Sequence, residues 1–433
     1  MRKLPMPDVS RRDLVRGALP LTAALLPFSP SPIAGQSRAA PARRSLPKTG
    51  DMIAAKNWFF DRAVHPETHL LYSRVDLEDP NLWKKVRFPS ADAVRGKTND
   101  DSEVPNLSNC AGAGGLFLGQ LADIHAVTGD VDCARQARVV FKGLEALAAA
   151  SERRGFIARG LLPGDPTRAH FHNSSVDQYT FYVYGLYRYF HSPLAGDAER
   201  ASMRRIMNDI CTMIERDGTI LGSNGAPGLV SDIEAIRSDR STRLLEICLV
   251  GHAITRRSHW RDVYLAKLRE AGYARLRTVL EPMQLRFTYV PRDLARGPRH
   301  ADIATIWQTQ YSLVPLFELE TELPLKCAWR EALDTCARIV RRFGGSGPEL
   351  QIVMLAQNRP LAQDFTTPDE AHLHAWLRSA TADLLARTPR SRVEMPRGDA
   401  LAASMTHFGV TWLGAAEVYW TGLRRGVFSA EGR

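Results

Sequence analysis

The chain has 433 residues, 44% of them hydrophobic and 24% charged, an ordinary composition for a globular protein. Its formal charge is +10, but residues 1–42 hold six Lys/Arg against two Asp/Glu, which leaves about +6 for the remainder. No dense basic run interleaved with aromatics occurs, which sets nucleic acid aside as a partner, and no apolar run approaches the roughly 20 residues of a stable membrane span.

In chain order, residues 1–42 come first and read as a processed leader. Ser10-Arg11-Arg12-Asp13-Leu14-Val15 resembles a twin-arginine export signal, with Leu14 in place of the usual Phe. An apolar run from Gly17 to Phe28 follows, then a Pro/Ser/Ala-rich stretch with small-residue cleavage options between Ala34 and Ala42. The expectation is a bacterial protein handed to the twin-arginine machinery and delivered to the periplasm or the cell exterior, with residues 43–433 as one domain. That route carries proteins already folded, which weakens the usual link between export and disulfides. The six cysteines (Cys110, Cys133, Cys211, Cys248, Cys327, Cys336) show no C-x-x-C and no ligand-like spacing to histidine. Most lie in helical patterns and read as buried thiols. No metal or cofactor is implied.

From Asp51 onward apolar residues recur at helical spacing, and no run of alternating strands interrupts them. A first helix is predicted over 50–64, followed by a long irregular segment over 66–108. Helices then come in pairs: 109–127 with 131–150, 175–190 with 197–216, 240–255 with 259–280, 303–320 with 325–343, and 348–357 with 369–387. A last helix over 405–423 would find its partner in the first. The first members of the pairs begin at intervals of mostly about 60 residues. They are apolar or aromatic on several faces, whereas the second members carry a charged stripe, as at Arg200, Arg204, Arg205 and Asp209. A helix apolar all round must be covered all round, and one with a single apolar face can lie outside it. The fold class expected is therefore all-α, with six inner and six outer helices in six hairpins.

The hairpin array, the Thr128-Gly129-Asp130 turn and the aromatic run S-S-V-D-Q-Y-T-F-Y-V-Y-G-L at 174–186 together resemble the six-hairpin glycosidase superfamily over about residues 50–425. That resemblance implies an (α/α)6 toroid and a carbohydrate ligand, an oligo- or polysaccharide. The superfamily includes glycoside hydrolases, uronyl hydrolases and sugar epimerases, and related toroids include polysaccharide lyases.

In such a toroid the loops preceding the inner helices open at one end. This would collect Asn99, Asp100, Asp101 and Asn109 with Arg159, His170, His172, Asn173 and Asp177. Asn224, Asp232, Glu234, His300, Asp302 and His407 would join them. Asp177 leads as catalytic candidate, although Ser175-Val176-Asp177-Gln178 also reads as a capping box with Asp177 in the first helical turn. Glycoside hydrolysis uses two carboxyl groups, one protonated and one ionised, so Asp101, Asp232 or Glu234 would pair with Asp177. Glu246, inside the third inner helix, faces either the lumen or a buried ion partner. Elimination next to a uronate needs a base and a group that neutralises the carboxylate, roles open to His172, Asn173 and Arg159. His170 and Gln178 are further substrate-binding candidates. Trp307, Gln308 and Tyr311 have the mixture of ring and amide that suits a sugar platform, with Trp83, Trp412 and Trp420 behind them. No G-x-S-x-G, P-loop, dinucleotide fingerprint or H-E-x-x-H occurs. The expectation is an exported glycoside hydrolase, with a polysaccharide lyase or a non-catalytic glycan-binding toroid as alternatives.

Overall fold

The computed structural model describes residues 49–72, 88–98, 107–228, 231–237, 240–280 and 300–342, and 413, 416, 417 and 419–424 near the C-terminus; at 51, 300–307 and 334–342 it describes backbone alone. Chain contacts divide the protein into two units, Met1–Ala42 and Arg43–Arg433. The first unit, and with it the expected leader, lies outside the described residues. So do the hairpin expected over 348–387 and the candidates Asp101, His407, Trp83 and Trp412.

Among the described residues every regular element is a helix, and the only β pairings are two isolated bridges, Val64 with Leu71 and Leu221 with Pro227. The helices are α1 (Thr49–Ala63), α2 (Ala91–Val94), α3 (Cys110–Thr128), α4 (Asp132–Ala148), α5 (Val176–Phe190), α6 (Asp197–Asp217), α7 (Ser241–Thr255), α8 (Ser258–Leu280), α9 (His300–Leu319) and α10 (Leu323–Arg342). None is long and apolar enough to cross a membrane.

Two kinds of helix alternate. In α5 every residue but Asp177 is buried, and α7 is buried from Ser241 through Gly251. By contrast α4 buries Cys133, Ala137, Val140, Phe141, Leu144 and Leu147 at helical spacing and leaves Arg135 and Arg138 outside. The buried helices pack in a row: α3 on α5, α5 on α7, α7 on α9, with α9 also reaching α5. Their partners cover them, α4 on α3, α6 on α5 and α7, α8 on α7, and α10 on α9 and α8.

Turn chemistry sets where the helices stop. Gly129 and Gly218 end α3 and α6 at φ of 68° and 67°, a left-handed conformation that costs glycine little. Helix α8 is broken inside: Ala271, Gly272 and Tyr273 all have positive φ, so its two halves run in different directions. The uniform periodicity of 259–280 does not reveal that break.

Small residues set the spacing of α3 and α5. A Cβ on Gly115 would stand 2.2 Å from the Phe181 carbonyl oxygen, and one on Gly185 equally close to the Gly115 carbonyl oxygen. At the C-terminal ends of the inner helices a buried polar network joins distant segments. Asp123 of α3 accepts from Arg188 of α5, from Thr421 at 3.1 Å and from Arg424 at 2.5 Å. Tyr184 donates to Glu417 at 2.5 Å, and Tyr187 to Glu318 of α9 at 2.9 Å. At the other end of the chain, Thr49 and Tyr419 share a hydrogen bond of 3.2 Å, and buried Lys56 donates to Asp130 at 2.6 Å. Helix α1 is thereby tied to the α3–α4 turn through Lys56 and to Tyr419 through Thr49.

Candidate functional site

Asn109 just before α3, Asp177 and Gln178 in the first turn of α5, Arg243 near the start of α7 and Gln308 midway along α9 contribute polar side chains to one cluster. Its centre is Asp177, in the first turn of α5 and the only residue of that helix not buried. Arg159, from the loop after α4, is locked beside it. Its Nε donates to the Ser108 carbonyl at 2.7 Å and its Nη1 to Ser175 Oγ at 2.6 Å. Gln178 spans to α3, accepting from the Gly112 amide at 3.0 Å and donating to Asn109 Oδ1 at 2.9 Å and Asp177 Oδ2 at 3.3 Å. From α7 comes Arg243, whose Nη2 donates to Gln308 of α9 at 2.8 Å.

The expected capping box does not form. Ser175 is the residue before α5, but its hydroxyl makes no cap hydrogen bond. It accepts from Arg159 and bonds to Asp177 instead, and Gln178 is turned to α3. Two side chains suited to capping the start of a helix are turned instead to hold a carboxylate.

The electrostatics of the cluster separate two acids. Burial disfavours the charge of Asp177, but Arg159, the Ser175 hydroxyl, Arg243 and the Gln178 amide outweigh it and hold the carboxyl below its ordinary range. Glu246 lies one turn beyond Arg243 on α7 and is fully buried, with no hydrogen-bond partner for either carboxyl oxygen. Burial drives its carboxyl well above the ordinary range, and the attraction of Arg243 offsets only part of that. The two carboxyls are thus shifted in opposite directions, and the Arg243 charge acts on both. Arg243 was not visible as a candidate, yet a sequence signal existed: Arg243-x-x-Glu246 places two charges in a helix otherwise apolar on all faces.

The remaining candidates divide by position. His170 and His172 are half-buried on the loop leading into α5. The ring of His170 sits against Phe156, with burial lowering its pKa, and its Nδ1 bonds to the Arg168 carbonyl at 2.8 Å. His172 is tied in by backbone alone, its amide donating to the Lys97 carbonyl at 3.0 Å and its carbonyl accepting from Ser223 at 2.7 Å. Its Nδ1 is buried without a partner. Asn173 is half-buried beside it.

Asp232 lies at this same end, bonded by Arg240 at 3.3 Å and paired with Arg237 at 3.4 Å. Glu234 turns away to the outer helix α8, where Lys267 and Arg275 hold it at 2.7 and 3.1 Å, so it does not join the cluster. Tyr311 is also displaced from its expected role. It is fully buried and packs edge-on against Phe181 and Tyr184 at 5.2 and 5.0 Å, which makes it part of the core rather than a platform a sugar could touch. The side chain of Trp307 lies outside the described residues. No group of three or more His, Cys, Asp or Glu among the described residues is placed to hold a metal ion.

No protein-family model matches the chain, and comparison with curated proteins gives no match.

Proposed function

We propose that the chain is an exported carbohydrate-active enzyme with an (α/α)6 toroid, and that it hydrolyses glycosidic bonds at the mouth formed by the N-terminal ends of its inner helices. One observation carries this reading: the carboxyl of Asp177, beside Arg159 and Arg243, is shifted down, while burial shifts that of Glu246, one turn from Arg243, up. Carboxyl groups shifted in opposite directions around a shared arginine are suited to the acid and the base or nucleophile that glycoside hydrolysis needs. The row of buried helices with amphipathic partners, and the pairing of α1 with the C-terminal residues, support the closed ring.

In this reading Asp177, reachable from the mouth, faces the anomeric carbon as nucleophile or as base for a water. Glu246 gives its proton to the departing glycosidic oxygen. Because Glu246 has no exposed surface, it reaches the bond only when substrate entry displaces the side chains that cover it. A second reading, elimination at a uronate, is favoured by His172, whose unpartnered Nδ1 near the mouth suits a base.

The test follows new reducing ends and the ultraviolet absorbance of unsaturated uronides on neutral and acidic glycans. Asp177→Asn and Glu246→Gln are each expected to lower kcat by about 10²–10⁴-fold in proteins that still unfold cooperatively. Reducing ends formed at wild-type rate by both variants would overturn the hydrolase. Absorbance lost in His172→Ala but kept in Asp177→Asn would establish the elimination, and glycan binding without turnover the non-catalytic toroid.

A further inference from the structure

A concavity opens where α4 and α6 end. It has a volume of about 630 Å³ and is lined by Ser151, Glu152, Arg153, Arg154, Arg216 and Ser223. That volume falls within the roughly 300–1,000 Å³ of small-molecule sites, but the lining is polar and dominated by three guanidinium groups.

The topology explains why they meet. Ser151–Arg154 follow the C-terminus of α4, Arg216 is in the last turn of α6, and Ser223 begins the loop that leads to α7. Outer helices end where inner helices begin, so these residues stand beside the mouth. The two sites share backbone: the Ser223 amide that edges the rim pocket donates to the His172 carbonyl on the segment entering α5.

The charges are unequally used. Arg216 is neutralised by Asp217, to which it donates twice, at 2.7 and 2.6 Å. Arg153 and Arg154 make no salt bridge among the described residues. Arg153 is half-buried, and its Nε is fully buried with no hydrogen-bond partner. Its guanidinium is held under a tight turn, where a Cβ on Gly225 would come 2.7 Å from Nη2. A guanidinium nitrogen buried without a partner is a costly arrangement. Glu152 is the one carboxylate in the lining and is exposed, and Asp217, behind Arg216, also feels the Arg153 charge. Arg154 also walls a neighbouring cavity of about 320 Å³, whose lining includes Glu145, Asp209 and Arg205 as well as Phe156 and Ile157.

We propose that this rim pocket binds an oxyanion carried by a sugar residue, a uronate carboxylate or a sulfate ester, with Arg153 and Arg154 as its ligands and Ser223 beside them. Arginine is suited to this because its planar fork matches both groups bidentately. The proposal rests on the preceding section only for the glycan character of the ligand, and it makes the substrate an acidic glycan that extends past the mouth onto the rim.

The experiment measures binding to the full chain by calorimetry, using three hexamers as probes: oligogalacturonate, its methyl ester and a sulfated oligosaccharide. The comparison proteins are Arg153→Gln/Arg154→Gln and Asp177→Asn. The wild type is expected to bind at least one acidic probe at least about tenfold more tightly than the ester, with affinity falling as salt rises. The double variant is expected to lose that preference while unfolding at the wild-type temperature, and Asp177→Asn to keep it. Whichever acidic probe binds more tightly identifies the source of the oxyanion. Equal affinity for acid and ester, or an unchanged preference in the double variant, would overturn the proposal. The two readings fail separately: turnover that depends on Asp177 without acid preference removes only the rim site, and acid preference without turnover removes only the hydrolase.

Discussion

Gly115 and Asp177 show two ways in which one residue decides the structure around it. At Gly115 the deciding property is absence of a side chain. Helices α3 and α5 touch backbone to backbone there, and a methyl group would have to push the Phe181 carbonyl aside. Gly115→Ala is expected to destabilise the protein by about 1–3 kcal/mol or more, read as a fall in Tm. Gly50→Ala is the control, since nothing lies within 4 Å of the Cβ it would add. Equal Tm values for the two variants would show that the helices are not in contact at Gly115. At Asp177 the deciding property is charge. The residue types around it were legible as a helix start, but their partners were not. Ser175 bonds to Arg159, and Gln178 reaches Asn109, 69 residues away in the chain. Local spacing describes what a side chain can do within its own helix, and a tertiary partner overrides it when that partner offers a stronger bond.

At the scale of elements, the helices and their pairing were readable because burial is encoded in periodicity. A helix apolar all round and a helix with one charged stripe require different places in a layered structure. The break in α8 was not read from the sequence, because Gly272 is its one local signal and an isolated glycine is tolerated within a helix. What fastens the C-terminal helical residues was equally hidden, since Asp123, Arg188 and Glu417 are each ordinary alone. Together they give that element a titratable anchor. Burial and the nearby Asp123 charge raise Glu417 from an ordinary 4.5 to about 7, against the Tyr184 and Thr421 hydrogen bonds and the Arg188 charge, which lower it. Between those values the folded protein holds a proton that the unfolded chain releases. The contribution is therefore fully present below about pH 4.5 and is lost as pH rises to about 7. Denaturant titrations at several pH values are expected to show wild-type stability falling across that interval relative to Glu417→Gln. A constant difference between the two proteins would mean that Glu417 is ionised throughout.

At the scale of the whole molecule, the two ends of the described fold are joined. Thr49 bonds to Tyr419, and Gln120, Asp123 and Tyr184 bond to residues between 413 and 424. Deleting residues 413–433 would leave the Asp123 and Gln120 side chains of α3 without these buried partners, each a penalty of about 1–3 kcal/mol. The truncated chain is expected to unfold at lower temperature and to exchange amide hydrogens faster in α1 and α3, both of which the deleted segment holds. Unchanged exchange in those helices would show that the ends are not coupled. By itself the sequence determined the helical class, the alternation of buried and amphipathic helices, and the loops on which polar residues gather, because each follows from spacing along the chain. The tertiary structure alone decided which of those polar residues meet. It drew Asp177 toward Arg243, with Glu246 buried beyond it, turned Glu234 outward to α8, and sank Tyr311 into the core. Those outcomes depend on the angles and distances between helices, which packing sets and no periodicity records.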